Sequence, residues 1–149
     1  MPKTNAEWRE LDEQLAREVM GWCKWGELPE AARRAYWEAL GEGPDEYRMT
    51  HNGLRWWYID ELGCPDTDYR LSEWQPHEDV AQALMALDTV AEKYPDVGYT
   101  LERATPKRLR GYMCALGNPD APETLAFAPT LREAICSALE KWMDAQEKP

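Results

Sequence analysis

The sequence predicts an α+β protein in which an antiparallel sheet of four to five strands is covered by helices. Segments with helical apolar spacing are interspersed with short strand-like segments, and no strand-helix-strand repeat is sustained, which disfavours a parallel sheet. The chain has 149 residues, of which 44% are hydrophobic and 30% charged. This size and composition are typical of one globular domain. We therefore expect residues 1–149 to form a single domain.

Two helices are predicted before the first strand. Thr4 and Glu7 have the spacing of a capping box, and apolar residues then recur at helical intervals as far as Gly21. A second helix has Pro29 in its first turn and ends at Gly41. Glycine is the residue that most readily adopts the left-handed conformation that ends a helix.

Two further helices are predicted in the second half of the chain. One begins at Pro76 and is ended by Pro95, and the other opens with a second capping-box pair, Thr130 and Glu133. Their predicted apolar stripes are Val80, Leu84, Leu87, Ala91 and Tyr94, and then Leu131, Ile135, Ala138, Leu139 and Trp142.

The strands are predicted from alternation and turn signals. Tyr47 and Met49 alternate with polar residues, the pair Asn52-Gly53 is typical of a tight hairpin turn, and residues 54–59 return as an aromatic-rich strand. Residues 69–71 are expected to add a short strand.

A second hairpin is predicted after the third helix. Residues 97–101 form one strand, Thr105-Pro106 the turn, and residues from about 109 to 116 its partner. Residues 117–129 are rich in proline and acidic side chains, so we expect a mobile loop there.

Charge and composition limit the classes of partner. The net charge is -11 and the pI near 4.6, which disfavours direct nucleic-acid binding and an anionic membrane surface. Such a surface either keeps the protein soluble or mimics nucleic acid. No signal peptide or membrane span is recognisable, so a cytoplasmic protein is predicted. Four scattered cysteines are expected to be free thiols, and no metal or other cofactor is predicted.

No catalytic constellation is recognisable in the sequence. His51 is predicted in the hairpin turn and His77 in the first turn of a helix, both in water and without a positioned partner. The motifs of serine hydrolases, zinc proteases and P-loop enzymes are missing. The sequence therefore predicts a protein that is not an enzyme.

One cluster of basic residues stands out in a chain that is otherwise acidic. Arg103 and three further basic residues surround the turn of the second hairpin, with tyrosines on the strands beside it. Guanidinium groups next to aromatic faces can hold a phosphate and stack a base. Alternatively, these cations pair with carboxylates on the surface. The predicted ligand-binding residues are Trp56, Trp57, Tyr99, Arg103, Lys107, Arg108, Arg110 and Tyr112.

Several short motifs at both ends and in the middle of the chain, taken together, are similar to those of a known protein family. They are Leu11, Asp12, the run Val19-Met20-Gly21-Trp22, Trp57, Asp60, Gly63, Trp74, Pro76, Asp79, Ala81, Ala83, Thr130, Ala134, Ile135, Cys136 and Ala138. Together they resemble the phage ABA sandwich domain, a family of small phage and prophage proteins. The resemblance implies an α/β/α-type sandwich and a phage origin, hence the cytoplasm of a host cell, but no catalytic residues. Residues 24–53 depart from it as a possible insertion, where a protein-specific function could lie.

Three functional hypotheses remain open. The first is a non-enzymatic protein that sequesters a small anionic nucleotide-derived ligand, which in a phage protein would be a host immune signal. The second is an acidic protein-protein inhibitor or nucleic-acid mimic that acts on a host defence factor. The third is an enzyme that cleaves such a ligand, which the missing motifs disfavour. The partner is thus a nucleotide-like ligand or a host protein, and a homo-oligomer remains possible.

Overall fold

The computed structural model of the chain describes residues 3–41, 46–104, 111–117 and 123–147. These residues form an α+β structure, as predicted. Its α-helices are α1 (Asn5–Gln14), α2 (Glu30–Leu40), α3 (Glu46–Gly53), α4 (Val80–Lys93) and α5 (Leu131–Glu147). Its strands are β1 (Cys23–Lys24), β2 (Trp56–Ile59), β3 (Pro65–Asp66), β4 (Gly98–Ala104), β5 (Gly111–Gly117) and β6 (Thr124–Ala128).

The chain divides into two compact units, which are called unit A and unit B. Unit A comprises Met1–Met20 and Gln75–Pro149, and unit B is Gly21–Trp74. Among the described residues, unit A holds the antiparallel sheet β4-β5-β6 and unit B the antiparallel sheet β1-β2-β3. The sequence predicts one sheet of four to five strands instead. The difference arises because the aromatic-rich strand β2 pairs with short strands of its own unit. The predicted insertion, 24–53, falls within unit B, and the single domain stays a prediction.

The helix ends follow the predicted capping chemistry. The Thr4 hydroxyl accepts a hydrogen bond from the Glu7 backbone N–H at 3.2 Å, and the Thr130 hydroxyl accepts one from the Glu133 N–H at 3.3 Å. Both predicted capping pairs therefore stand at the start of α1 and α5. A π-helical turn, Leu15–Val19, extends α1. The glycines with left-handed backbone after the first two helical segments are Gly21 (φ 74°) and Gly41 (φ 70°).

Helix α3 shows that the predicted first hairpin is wrong. The pair Asn52-Gly53 lies at the end of this helix instead of in a tight turn, and His51 is in its last turn. Asn52 is buried, and its carbonyl oxygen accepts a hydrogen bond from Trp57 Nε1 at 2.8 Å. This tertiary contact fixes Asn52 in the core of unit B, and an Asn-Gly pair is also compatible with a helix C-terminus.

Strand β2 is the central strand of unit B. It pairs with β1 through Trp57 opposite Cys23 and with β3 on its other side. The short strand predicted at 69–71 amounts to a single bridge between Arg55 and Arg70. The sheet of unit B therefore consists of the aromatic strand β2 with a very short strand paired on each side.

Helix α4 begins later than predicted and buries a different face. Asp79 caps it, accepting hydrogen bonds from two backbone N–H groups, so that Pro76 stands before the helix. The predicted stripe residues Val80 and Tyr94 are exposed. Small alanines let α4 pack closely on α5, which rotates the buried face. The buried apolar residues of α4 are Ala83, Ala86, Leu87 and Val90.

The sheet of unit A packs one face on helices. Helix α5 lies on β5 and β6, and α4 contacts β4 and α5. Cys114, Leu116 and Ala126 are buried on the face that these helices cover, opposite core residues of α5 such as Ile135 and Leu139. The core of unit A is therefore a helix-on-sheet layer.

The predicted mobile loop at 117–129 is wrong for its second half. Residues 124–128 form β6, which pairs with β5 over five residues. Alternating Leu125, Ala126 and Phe127 supply the strand pattern, although the acidic and proline-rich neighbourhood obscures it in the sequence. Residues 118–122 lie outside the described part of the chain.

Candidate functional site

The two tryptophans predicted to stack a ligand belong to the core of unit B. Trp56 is 4% exposed and Trp57 is 2% exposed. The Trp57 ring contacts Trp25, at 4.8 Å between ring centroids, and Tyr36, at 5.3 Å. These aromatic contacts bury the Trp57 ring in unit B, and its role in binding a ligand stays a prediction. In the sequence, the large residues on both faces of the aromatic-rich strand were the signal for this burial.

The other predicted ligand residues belong to unit A, and the structure brings two of the described ones together. Arg103 on β4 lies directly opposite Tyr112 on β5 in the register of the sheet. Tyr99 pairs with Leu116 at the other end of the same strands. Its hydroxyl donates a hydrogen bond of 2.7 Å to Asp88 of α4, which raises the pKa of Tyr99. Lys107, Arg108 and Arg110 lie outside the described residues.

A buried aspartate-histidine pair in unit A was not predicted. Asp12 Oδ2 lies 2.5 Å from His77 Nδ1, and the His77 backbone N–H donates to Asp12 Oδ1 at 3.3 Å. Trp8 stacks on the imidazole with ring centroids 5.6 Å apart and planes within 6°. The side chains of Asp12 and His77 are 5% and 10% exposed. The prediction that His77 is solvated is therefore wrong, because α1 covers it.

The electrostatics of this pair are dominated by its burial. Loss of water raises the pKa of the Asp12 carboxyl to about 6, and the hydrogen bonds from His77 only partly offset that effect. The Arg132 guanidinium of α5 donates to the His77 carbonyl at 3.0 Å. These contacts link three parts of unit A in one network: α1, the segment that precedes α4, and α5. We interpret the pair as a polar tie between helices, which sequence alone could not show because its partners are 65 residues apart.

The cysteine nearest this network is not an activated nucleophile. Cys136 of α5 is 0% exposed. Burial and the Asp12 carboxylate raise the pKa of its thiol well above the usual value. A thiol of this kind stays protonated near neutral pH, whereas a nucleophilic cysteine needs a thiolate. The predicted free cysteines are confirmed, with Cys114 and Cys136 buried.

The outer strand of the unit A sheet carries exposed apolar side chains. The register places Phe127 of β6, Met113 of β5 and Glu102 of β4 in one row on the face opposite α5. Leu125 lies on the same face two residues before Phe127. Phe127 is 62% exposed and Leu125 is 38% exposed. These two residues, which we call the β6 stripe, form an open apolar surface.

The centre of that sheet face is buried, so the exposed apolar surface is confined to the edge strand β6. Ala115 of β5 lies beside Leu125 in the register and is only 2% exposed. Glu123, just before β6, and Glu102, in the row of Phe127, are exposed. The β6 stripe is thus an apolar strip with carboxylates on two sides. Alternation over 124–128 was the sequence signal that could have revealed it.

Within residues 3–41, 46–104, 111–117 and 123–147, no group of three or more potential metal ligands is close enough to hold an ion. None of the helices in these ranges has the length and apolarity needed to cross a membrane.

Comparisons of the chain with protein-family models, with curated proteins and with solved structures found no match. The resemblance to the phage ABA sandwich domain therefore stays a prediction.

Proposed function

We propose that this protein is a non-enzymatic, acidic protein-binding module that docks on a basic surface of its partner through the β6 stripe. The observation that carries the proposal is the exposure of Phe127, at 62%, on an ordered outer strand. Large apolar side chains that stay exposed together beside polar residues mark interaction surfaces. In such interfaces a few aromatic anchors supply most of the binding free energy.

The charge of the chain indicates the chemistry of the partner. The net charge of -11 and the carboxylates of Glu102 and Glu123 beside the stripe favour a partner that presents lysines and arginines around an apolar pocket. Opposite charges at the rim accelerate association and fix orientation. A basic nucleic-acid-binding protein has this surface, so inhibition by mimicry of nucleic acid follows from the same feature. If the resemblance to phage proteins is correct, the partner is a host defence factor.

The buried titratable groups of unit A support binding over catalysis. Asp12, the group with a strongly raised carboxyl pKa, is hydrogen-bonded to His77 inside the helix network. The Cys136 thiol is held protonated by its burial. Both groups are engaged in the core, whereas Leu125 and Phe127 of β6 are exposed.

A second candidate function is binding of a small anionic ligand beside Arg103. The cross-strand register that places Arg103 next to Tyr112 favours it, because a guanidinium and an aromatic ring together suit a nucleotide. The sequence adds Lys107, Arg108 and Arg110 between the two strands. This candidate corresponds to sequestration of a nucleotide signal.

Substitution of Phe127 by glutamate tests the protein-binding proposal. The tagged protein is expressed in a bacterial host, a co-purifying partner is identified by mass spectrometry, and its affinity is then measured with purified components. We expect Phe127→Glu to weaken binding at least tenfold, because truncation of an aromatic anchor costs about 2 kcal/mol or more. We also expect the affinity of the wild type to fall as salt is added.

The matched control is Leu62→Glu, which adds the same charge at a residue that is 89% exposed in unit B. It should bind like the wild type. Equal affinity of Phe127→Glu and wild type for every purified partner would refute the proposal. Loss of self-association alone would show that the surface serves a second copy of the chain instead. A rise in melting temperature with a nucleotide, lost in Arg103→Ala, would favour the second candidate.

A further inference from the structure

Unit A contains a cavity of about 460 Å³ on the side of the sheet where α5 ends. Its floor includes Leu116 and Trp142, which are 1% and 8% exposed. Tyr94 stands beside Trp142 in an edge-on arrangement, with ring centroids 5.1 Å apart and planes at 67°. Small-molecule sites in proteins typically measure about 300–1,000 Å³ and combine an apolar floor with a few polar groups.

Two carboxylates stand at this cavity. Asp96 lines it from the segment between α4 and β4, and Glu123 lines it from the residue before β6. Among the described lining residues none is lysine or arginine, and the other polar side chains are Thr124 and Gln146. The described lining of the cavity therefore carries two negative charges and no positive one.

The backbone around Gly117 holds Glu123 close to the cavity wall. A Cβ atom at Gly117 would meet the Cα of Glu123 at 3.3 Å and its Cγ at 3.4 Å. The glutamate side chain thus packs on the glycine at the end of β5. This contact restricts the side chain of Glu123 and reduces the entropy that a ligand would have to remove when it binds.

We propose that this cavity binds a small organic cation, such as a quaternary or alkyl ammonium group. Tyr94 and Trp142 both line the cavity, and aromatic rings attract a cation through the negative potential of their ring electrons. Asp96 and Glu123 supply the opposite charge, and the buried Leu116 supplies apolar contact for the carbon substituents. The cavity shares Glu123 with the surroundings of the β6 stripe but not Leu125 or Phe127, and the proposal does not rest on the proposed protein partner.

The probe is choline, added to the full-length protein and followed by titration calorimetry and by amide chemical shifts. We expect saturable binding, with shifts at Gly117 and Thr124. The uncharged isostere 3,3-dimethylbutanol should bind at least fivefold more weakly, because it has the same shape without the charge. Spermidine and methylguanidine distinguish the kind of cation that the cavity prefers.

The variants test the residues that the cavity supplies. Glu123→Gln and Asp96→Asn should each weaken choline binding about threefold or more, and Tyr94→Leu should weaken it similarly. The control Glu102→Gln removes one charge from the same unit, outside the cavity, and should change the affinity less than twofold. Phe127→Glu should leave choline binding unchanged, so the cavity and the protein-binding proposal fail separately.

The proposal is overturned if choline causes no shift at millimolar concentration, or if the uncharged isostere binds equally well. It is also overturned if Glu102→Gln weakens binding as much as Glu123→Gln, since that result would reflect net charge alone. The substituted positions Asp96, Glu123 and Tyr94 are exposed, so the variants are expected to fold, and thermal melts check this.

Discussion

At the scale of single residues, Asp12 shows how burial changes a side chain that looks ordinary in the sequence. It lies on the inner face of α1 beside Leu11, both nearly inaccessible to water. Its carboxyl accepts a hydrogen bond from the His77 backbone N–H and shares another with the His77 ring, which stacks on Trp8. Buried carboxyls without such partners are strongly destabilising. The resemblance motifs included Asp12, but only the packing shows what it does.

The raised pKa of Asp12 predicts a pH dependence of stability. The unfolded chain releases this proton near pH 3.8, whereas the folded protein keeps it until about pH 6. The contribution of Asp12 is therefore fully present below pH 3.8 and is lost as pH rises through 6. Relative to Asp12→Asn, the free energy of unfolding of the wild type should fall by at most about 3 kcal/mol across this window, at about 1.4 kcal/mol per pKa unit.

Urea titrations of both proteins at pH 4, 5, 6 and 7 measure this difference. The comparison cancels the titration of shared groups that do not interact with Asp12. A difference that stays flat or rises between pH 4 and 6 would contradict the raised pKa. The remaining, smaller part of the decrease should occur between pH 6 and pH 7, because a carboxyl with a pKa of about 6 is still half protonated at pH 6.

At the scale of elements, the pairing of β5 with β6 depends on a glycine. A Cβ atom on Gly111 would lie 2.5 Å from the carbonyl oxygen of Ala128. Real Cβ atoms do not approach a backbone oxygen so closely, so the strands would have to separate at this point. The glycine thus allows the close approach that completes the sheet.

Gly111→Ala should lower the free energy of unfolding by about 1–3 kcal/mol, as expected for an overpacked contact with backbone. Gly98→Ala is the matched control, because Gly98 begins β4 of the same sheet and a Cβ atom there meets nothing within 4 Å. It should change stability by no more than about 0.5 kcal/mol. Chemical denaturation of both variants checks the prediction, and equal stability of the two would contradict it.

The helices illustrate how far element prediction can go. The capping pairs at Thr4 and Thr130 and the glycine at Gly41 act over three or four residues, so the sequence around them is sufficient. The segment 46–53 has no such signal. Its Asn52-Gly53 pair is compatible with either a hairpin or a helix end, and the contact with Trp57 selects the helix.

At the scale of the whole molecule, the division into units A and B predicts separate responses to core substitutions. Trp57→Leu removes a ring that is 2% exposed in unit B, together with its hydrogen bond to the Asn52 carbonyl. We expect faster amide exchange concentrated in Gly21–Trp74. Ile135→Val changes the core of unit A, so we expect faster exchange in that unit. It should lower the free energy of unfolding by about 0.5–1.5 kcal/mol.

Hydrogen exchange measured by mass spectrometry resolves the two units peptide by peptide. If either substitution accelerates exchange equally in all peptides, the chain unfolds as one cooperative unit. That outcome would support the single domain that the sequence predicts.

The sequence by itself determined the α+β class, the capped helices and the second hairpin, because these depend on spacing and on contacts between near neighbours. Only the tertiary structure decided the placement of the aromatic strand β2, whose tryptophans are buried in the core of unit B. It also decided the Asp12–His77 network, the exposed Phe127 and the cavity beside Trp142. Each of these depends on which distant segments cover a side chain. Alternation in the sequence distinguishes the two faces of a strand but does not show which of them is covered.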